Sequence, residues 1–71
     1  MNLTQATLYK LYTINKVSGD EKERLQAIGM IQGEQLRLLS KAPFKGPFIC
    51  QVNGMDLAID YTLTKNIEIT E

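Results

Sequence analysis

Arg24 to Leu39, with the sequence RLQAIGMIQGEQLRLL, is the stretch in which the hydrophobic period changes from helical to extended. Leu25 and Ile28 are three residues apart, so on a helix they share one face. Leu36 and Leu38 instead alternate with polar residues, as in a strand that is buried on one side. The stretch therefore predicts a short helix that leads through a turn into a strand.

Two glycines bracket this change of period. Gly29 follows the last apolar position of the predicted helix and suits a left-handed C-terminal cap, where the missing Cβ removes the steric cost of positive φ. Gly33 stands at the start of the predicted strand. Met30 and Ile31, between the glycines, are too apolar for an open loop, so we expect this turn to pack on the core.

Upstream of the helix the sequence favours a first strand over Lys10 to Val17, which is rich in β-forming residues. Its alternation predicts that Tyr12 and Ile14 face the core, with Lys16 on the same side. The segment before it, Met1 to Tyr9, is compatible with one helical turn or with an irregular lead-in.

The start of the helix is predicted from its capping residues. Asp20 and Glu23 have the spacing of a capping box, which predicts a helix of about two turns that reaches Ile28. A helix of this length is unstable alone, so Leu25 must stabilise it through tertiary packing.

Downstream of the helix the alternation predicts two hairpins in series and a final strand. Met55, Leu57, Ile59 and Tyr61 are expected on the inner face of one strand, with Leu63 tucked in after it. The predicted segments are, in order, a strand over Glu34 to Ala42, a tip over Pro43 to Pro47, a strand over Phe48 to Val52, a tight turn at Asn53-Gly54, a strand from Met55, a helical turn over Thr62 to Asn66, and a strand with Ile67 and Ile69.

These segments predict a single domain over residues 1–71 that is mainly β: a small SH3-like five-stranded barrel with one short α-helix between the first and second strands. Barrel closure hides strand edges that a small sheet would otherwise expose. An OB-type barrel is the competing fold, but its strands are usually longer.

Charge and composition limit the partners. Eight basic and eight acidic residues cancel, which argues against binding to nucleic acid or to an anionic membrane surface. No apolar run reaches the roughly 20 residues that cross a bilayer, so we expect no direct membrane insertion. A single cysteine cannot form an internal disulfide, which agrees with a cytoplasmic location.

The residue inventory argues against an enzyme. Without histidine there is no base for a Ser-His-Asp or Cys-His arrangement, and we expect no catalytic residues and no cofactor. We expect no metal site either, although Asp56 and Asp60 on one strand face offer an alternative clip for a hard cation. Cys50 is either a reactive thiol or a buried packing residue, and packing is favoured because free cysteine is usually buried.

A partner surface is predicted at the tip between the second and third strands. Phe44 and Lys45 lie in a proline-bounded turn, and Phe48 follows it, so an aromatic anchor stands beside a cation as in many binding hot spots. We interpret Phe44, Lys45 and Phe48 as the candidate partner-binding residues. The alternative is that Phe44 folds over the end of the barrel and pairs with Phe48.

The sequence closely resembles the FeoA family. The resemblance is carried by Arg24 to Gly33, by Leu36-Arg37-Leu38-Leu39 and by the Ala42-Pro43-Phe44-Lys45-Gly46-Pro47-Phe48 segment, and it continues through Asn53-Gly54 to Ile67-Glu68-Ile69. It therefore covers nearly the whole chain in order. Asp60 is a departure, because many members carry a basic residue there.

The resemblance implies an SH3-like barrel and a role in bacterial ferrous iron uptake. It implies a non-enzymatic cytoplasmic accessory protein that docks on the cytosolic GTP-binding part of the FeoB transporter and is recruited through it to the inner face of the membrane. The alternatives are a generic SH3-like adaptor that binds peptides and a barrel module of the metal-regulator type. A small core also makes a homo-oligomer plausible, because a second copy can cover apolar area.

Overall fold

The computed structural model describes all 71 residues. Five antiparallel strands form one sheet in the order β4-β3-β2-β1-β5. The elements are, in chain order, a 3₁₀ helix over Leu3–Gln5, β1 over Leu11–Val17, α1 over Lys22–Ala27, β2 over Gln35–Lys41, β3 over Phe48–Val52, β4 over Met55–Ile59, α2 over Tyr61–Thr64 and β5 over Ile67–Thr70.

The predicted count of five strands, with a short helix between the first two, is confirmed. The sheet curls into a barrel-like unit, but β4 and β5 do not pair, so hydrogen bonds do not close it. Instead, the N-terminal residues line the outer side of β5. Ile69 donates its backbone N–H to the carbonyl of Met1 at 2.8 Å, and Asn2 forms a β-bridge with Glu68.

The inner face of the sheet forms one hydrophobic core with contributions from every strand. Strand residues reach it in alternation, as in β3, where Phe48, Cys50 and Val52 are buried. The buried apolar residues are Leu3, Ala6, Tyr12, Ile14, Val17, Leu25, Met30, Leu36, Leu38, Phe48, Cys50, Val52, Ile59, Ile67 and Ile69. A single core of this kind supplies most of the driving force in so short a chain.

A β-bulge in β1 corrects one predicted orientation. Tyr12 and Ile14 are buried as expected, but Lys16 is exposed and Val17 takes the next inward position. The register with β5 shifts between Ile14 and Lys16, so one extra residue reverses the alternation. The bulge thereby keeps a lysine out of the core.

The predicted helix start is wrong in detail. α1 begins at Lys22 with Glu21 as its N-cap residue, and no side chain caps it. Asp20 lies in the preceding turn, because the backbone N–H of Lys22 bonds the carbonyl of Gly19 at 3.2 Å. A capping box does occur at the 3₁₀ helix of the lead-in, where the side chain of Asn2 accepts from the backbone N–H of Thr4 at 3.0 Å.

The packing of α1 and the turn after it is confirmed only in part. Leu25 is 1% exposed and Met30 is fully buried, with the Met30 N–H bonded to the Leu25 carbonyl at 2.9 Å. Gly29 has the expected positive φ, +119°, at the end of the helix. Ile28 and Ile31, however, are 39% and 47% exposed, because the short helix and turn place them away from the core.

The fourth strand is shorter than predicted. β4 ends at Ile59, and Tyr61, which was expected on its inner face, begins α2. Met55 is 50% exposed, so burial along β4 is concentrated at its far end. Within α2 the side chain of Thr64 is buried and donates to the carbonyl of Tyr61 at 2.6 Å, while Leu63 packs partly against the core as predicted.

Candidate functional site

The tip between β2 and β3 is a tight turn centred on Phe44 and Lys45. Both residues have positive φ, +57° and +59°, which is typical of the two central positions of a type I′ hairpin turn. The backbone N–H of Gly46 bonds the carbonyl of Pro43 at 3.1 Å and closes the turn. This geometry holds the side chains of Phe44 and Lys45 out from the sheet.

Gly46 permits this turn sterically. A Cβ at position 46 would lie 2.7 Å from the Cβ of Ala42, closer than side chains approach one another. Only a residue without a Cβ therefore fits at this position. Phe44, two residues earlier, is 100% exposed.

Phe48 occupies a different environment from Phe44. It is only 6% exposed, and its ring packs edge to face on Tyr61, with ring centroids 6.0 Å apart. The side-chain nitrogen of Lys41 lies 5.7 Å from the Phe48 ring centroid on the same end of the barrel. Phe48 therefore supports the base of the tip, and Phe44 does not fold back onto it.

A groove of about 290 Å³ opens beside the tip. Lys45 contributes one wall, and the chain around α2 contributes Tyr61 and Lys65. The complete lining is Thr4, Lys45, Tyr61, Thr62, Thr64 and Lys65. The groove thus joins the predicted tip to residues that are distant in sequence.

The groove is positively charged. Neither Lys45 nor Lys65 forms an ion pair, since the chain's two ion pairs join Lys10 to Glu71 and Arg24 to Glu21. A third cation lies close by, because the Lys41 side chain donates to the carbonyl of Thr4 at 3.1 Å. We call the surface formed by Phe44, Lys45, Tyr61 and Lys65 the tip surface. Unpaired lysines beside an exposed ring suit a partner with acidic and apolar groups.

Sequence reasoning found only part of the tip surface. It identified Phe44 and Lys45 from the proline-bounded turn, but it placed Tyr61 on a strand and missed Lys65. No local signal links positions 45 and 65, because only the packing of α2 against the base of β3 brings them to one groove.

A second groove, of about 320 Å³, lies between α1 and β1. Its lining is mostly amide and lysine side chains, from Asn15, Lys16, Val17, Lys22, Gln26 and Gln32. It contains no exposed aromatic ring, although it is slightly larger than the groove at the tip. It therefore lacks the anchor that makes the tip surface the better candidate.

The other candidate residues are placed as follows. Asp56 and Asp60 are both exposed, and no three His, Cys, Asp or Glu side chains cluster in a way that would hold a metal ion. Cys50 is fully buried, which confirms the packing interpretation, and burial raises the pKa of its thiol to about 12. Among the tyrosines, Tyr12 is buried and Tyr9 is 66% exposed in the turn before β1.

The chain has a further apolar surface at the far end of the barrel. Ile28, Ile31 and Met55 are all partly exposed there. A Cβ at Gly29 would lie 3.6 Å from the side chains of both Met55 and Leu57, so the end of α1 and the start of β4 are adjacent.

Comparison with solved structures shows the same fold in several bacterial proteins. Iron(II) transport protein A from Clostridium thermocellum is 24% identical and superposes with a TM-score of 0.87 over 99% of this chain. This chain spans 44% of the Clostridium protein's length. FeoA from Chlorobium tepidum is also 24% identical, with a TM-score of 0.88, and the match covers 99% of this chain and 69% of that one.

A third structure, FeoA from Stenotrophomonas maltophilia in complex with zinc, is described as an SH3 domain protein. It is 23% identical and superposes with a TM-score of 0.80 over 97% of this chain and 88% of that chain. Its description agrees with the predicted SH3-like fold, which is confirmed. No curated protein sequence is significantly similar to this chain.

No helix here is both long and apolar enough to span a bilayer. The model of the FeoA domain family matches residues 1–71, the entire chain. The predicted resemblance is therefore confirmed, and the chain belongs to the FeoA family.

Proposed function

We propose that this chain is a non-enzymatic accessory protein of bacterial ferrous iron uptake, and that it binds the cytosolic GTP-binding part of a FeoB transporter through the tip surface. Membership of the FeoA family supports the link to iron transport. Recruitment to the inner face of the membrane would follow from this contact alone.

The observation that carries the proposal is the placement of Phe44. A large aromatic ring that is fully exposed contributes nothing to the core, and its φ of +57° is unfavourable for a residue with a Cβ. The turn requires this φ, but Asn or Gly would adopt it at a lower steric cost than Phe. A fully exposed ring next to Lys45, which forms no ion pair, supports a role in binding, where the ring provides an apolar anchor.

Charge supports the same surface. Lys45 and Lys65 flank the groove without intramolecular partners, so an acidic segment of the transporter can approach without displacing an existing ion pair. The contact requires no chemistry from this chain. Any hydrolysis of GTP belongs to the transporter.

The test is a titration of the full chain with the soluble GTP-binding domain of the cognate FeoB, followed by calorimetry. We expect saturable binding, and Phe44→Ala should weaken it about fivefold or more. Tyr9→Ala is the matched control, because Tyr9 is an exposed aromatic residue with positive φ on a different turn. The rate of GTP hydrolysis in the same mixtures gives the direction of regulation.

Three results would contradict the proposal: no binding at all, equal losses for Phe44→Ala and Tyr9→Ala, or loss of binding only on changes at Ile28 and Ile31. The last result would move the contact to the far end of the barrel.

A barrel module of the metal-regulator type is the second candidate, and two structural comparisons show that such regulators contain this fold. The chain superposes on ScaR with bound cadmium with a TM-score of 0.87 at 19% identity, over 100% of this chain and 35% of that one. The manganese regulator SloR gives a TM-score of 0.82 at 21% identity over 99% of this chain and 34% of that one. These likenesses show the fold alone.

Titration with manganese or zinc, monitored by backbone amide NMR shifts, tests the metal-regulator candidate separately. Titration with proline-rich peptides tests the other alternative, a generic SH3-like adaptor.

A further inference from the structure

One edge of the sheet is uncovered. β4 is an end strand, and no strand pairs with its outer side. The opposite end strand, β5, has the N-terminal residues along its outer side, through the Ile69 to Met1 hydrogen bond and the Asn2 to Glu68 bridge. The outer side of β4 is therefore the place where another strand can add to the sheet.

The register of the hairpin shows which backbone groups point outward. A two-residue turn joins Val52 and Met55 as a hydrogen-bonded pair, so Met55, Leu57 and Ile59 direct their backbone groups towards β3. Asp56 and Ala58 direct theirs to the outer side. Neither residue takes part in a turn or loop hydrogen bond, and both are exposed.

The edge lacks most of the features that usually prevent strand addition, and Asp56 is its only charged residue. β4 contains no proline and no lysine, and its pairing with β3 has no bulge. Two apolar side chains on the inner face of β4 remain accessible to solvent: Met55 is 50% exposed and Leu57 is only partly buried. The Gly29 turn lies against both side chains. A strand placed here would gain backbone hydrogen bonds and cover apolar area.

We propose that β4 pairs antiparallel with β4 of a second copy of this chain, centred on Leu57, and so joins two sheets into one. In this register Asp56 lies opposite Ala58 of the partner subunit, and Ala58 lies opposite Asp56 of the partner subunit. Both pairs are of the hydrogen-bonded type, because these residues point their N–H and C=O groups outward.

Charge selects this register, in which two copies of the strand meet without opposed carboxylates. A register centred on Asp56 would put two Asp56 carboxylates opposite each other, and one centred on Ala58 would put Asp56 opposite Asp60 of the partner subunit. Like charges directly opposite destabilise a strand pair. The Leu57 register avoids both clashes and places two leucines together at the two-fold axis. The strand is thus self-complementary in one register.

The test is sedimentation equilibrium of the full chain from micromolar to millimolar concentration, with two variants of opposite charge at one position. Ala58→Asp places one carboxylate opposite Asp56 of the partner subunit in each half of the interface, and it should raise the dimer dissociation constant about fivefold or more. Ala58→Lys places an ammonium group there, and it should lower that constant. Gln26→Asp and Gln26→Lys change the net charge equally on the α1 face, beside β1, and should leave it unchanged.

Three outcomes would overturn the proposal: a monomer at every concentration, Ala58 variants that shift the dissociation constant in the same direction, or equal shifts from the Gln26 variants. If circular dichroism shows that Ala58→Asp does not fold, Ala58→Lys alone decides, since tighter association supports the pairing and unchanged or weaker association excludes it. Phe44→Ala should leave self-association intact, because the tip surface does not include the outer side of β4. Failure here therefore leaves the transporter contact standing.

Discussion

Phe48 packs edge to face against Tyr61, with ring centroids 6.0 Å apart and ring planes at 83°, while Phe44, four residues earlier, is fully exposed. The two phenylalanines of this chain therefore have opposite roles. Phe48 belongs to the core and fixes α2 beside the tip, and Phe44 is left for contact with another molecule.

This difference predicts opposite effects on stability. Phe48→Ala should lower the free energy of unfolding by about 3–5 kcal/mol, because it removes a buried ring and leaves a cavity. Phe44→Ala should change it by no more than about 0.5 kcal/mol, as is usual for exposed positions. Urea unfolding followed by circular dichroism measures both. A large loss for Phe44→Ala would mean that its ring packs on the barrel after all.

Leu25 and Ile28 provide a second matched pair. Leu25→Ala should cost about 2–5 kcal/mol, because this side chain is the main apolar contact of α1 with the core. Ile28→Ala should cost within about 1 kcal/mol, since Ile28 is 39% exposed. Chemical denaturation again gives both values. If Leu25→Ala fails to fold, Leu25→Met should still fold with a loss below about 1.5 kcal/mol. Equal losses for the two alanine variants would contradict the observed burial.

The burial of the Cys50 thiol predicts that the folded chain loses stability at alkaline pH. Burial raises the pKa of its thiol from 9.0 to about 12, so as pH rises above 9 the unfolded chain releases this proton first. The stabilisation is fully present below pH 9 and is lost as pH approaches 12, by at most about 1.4 kcal/mol per pH unit.

The measurement is the free energy of unfolding at several pH values from 8 to 11, for the wild-type chain and for Cys50→Ala. Other groups titrate in both proteins, so the difference between the two slopes isolates the thiol. The wild-type slope should be the steeper one. Parallel slopes would show that the thiol ionises equally in the folded and unfolded chains.

The charge of the tip surface predicts a salt-dependent contact with the transporter domain. Lys45→Glu should weaken binding, and the loss should shrink as salt is raised, because exposed charges are screened beyond about 8 Å at physiological ionic strength. Lys16→Glu, in the groove between α1 and β1, is the matched control and should have little effect. Affinities measured at low and high salt test this, and equal losses for both variants would indicate a non-specific charge effect.

Much of this architecture was predictable from local sequence. Leu36 and Leu38 alternate with polar residues, and both are buried on β2 as predicted. Asn53 and Gly54 adopt positive φ, as the tight turn between β3 and β4 requires. These features depend on periodicity and on the backbone freedom of particular residues, which neighbouring residues alone specify.

The predictions that failed concern places where tertiary contacts override a local pattern. Asp20 and Glu23 have capping-box spacing, yet the turn after β1 starts α1 later. Lys16 is an even number of residues from the buried Tyr12 and Ile14, so simple alternation would place it in the core, but the bulge against β5 turns it outward. In both cases the position of another element decides the outcome.

The sequence by itself determined the order of the strands along the chain, the position of the turn between β2 and β3, and the family, because alternation, turn residues and motif spacing are local properties. Only the tertiary structure brought Lys45 to Lys65 in one groove and left the outer side of β4 without a neighbour. The physical reason is that a groove or an open sheet edge is formed by residues that are far apart in the chain, and only their packing in three dimensions brings them together or leaves them uncovered.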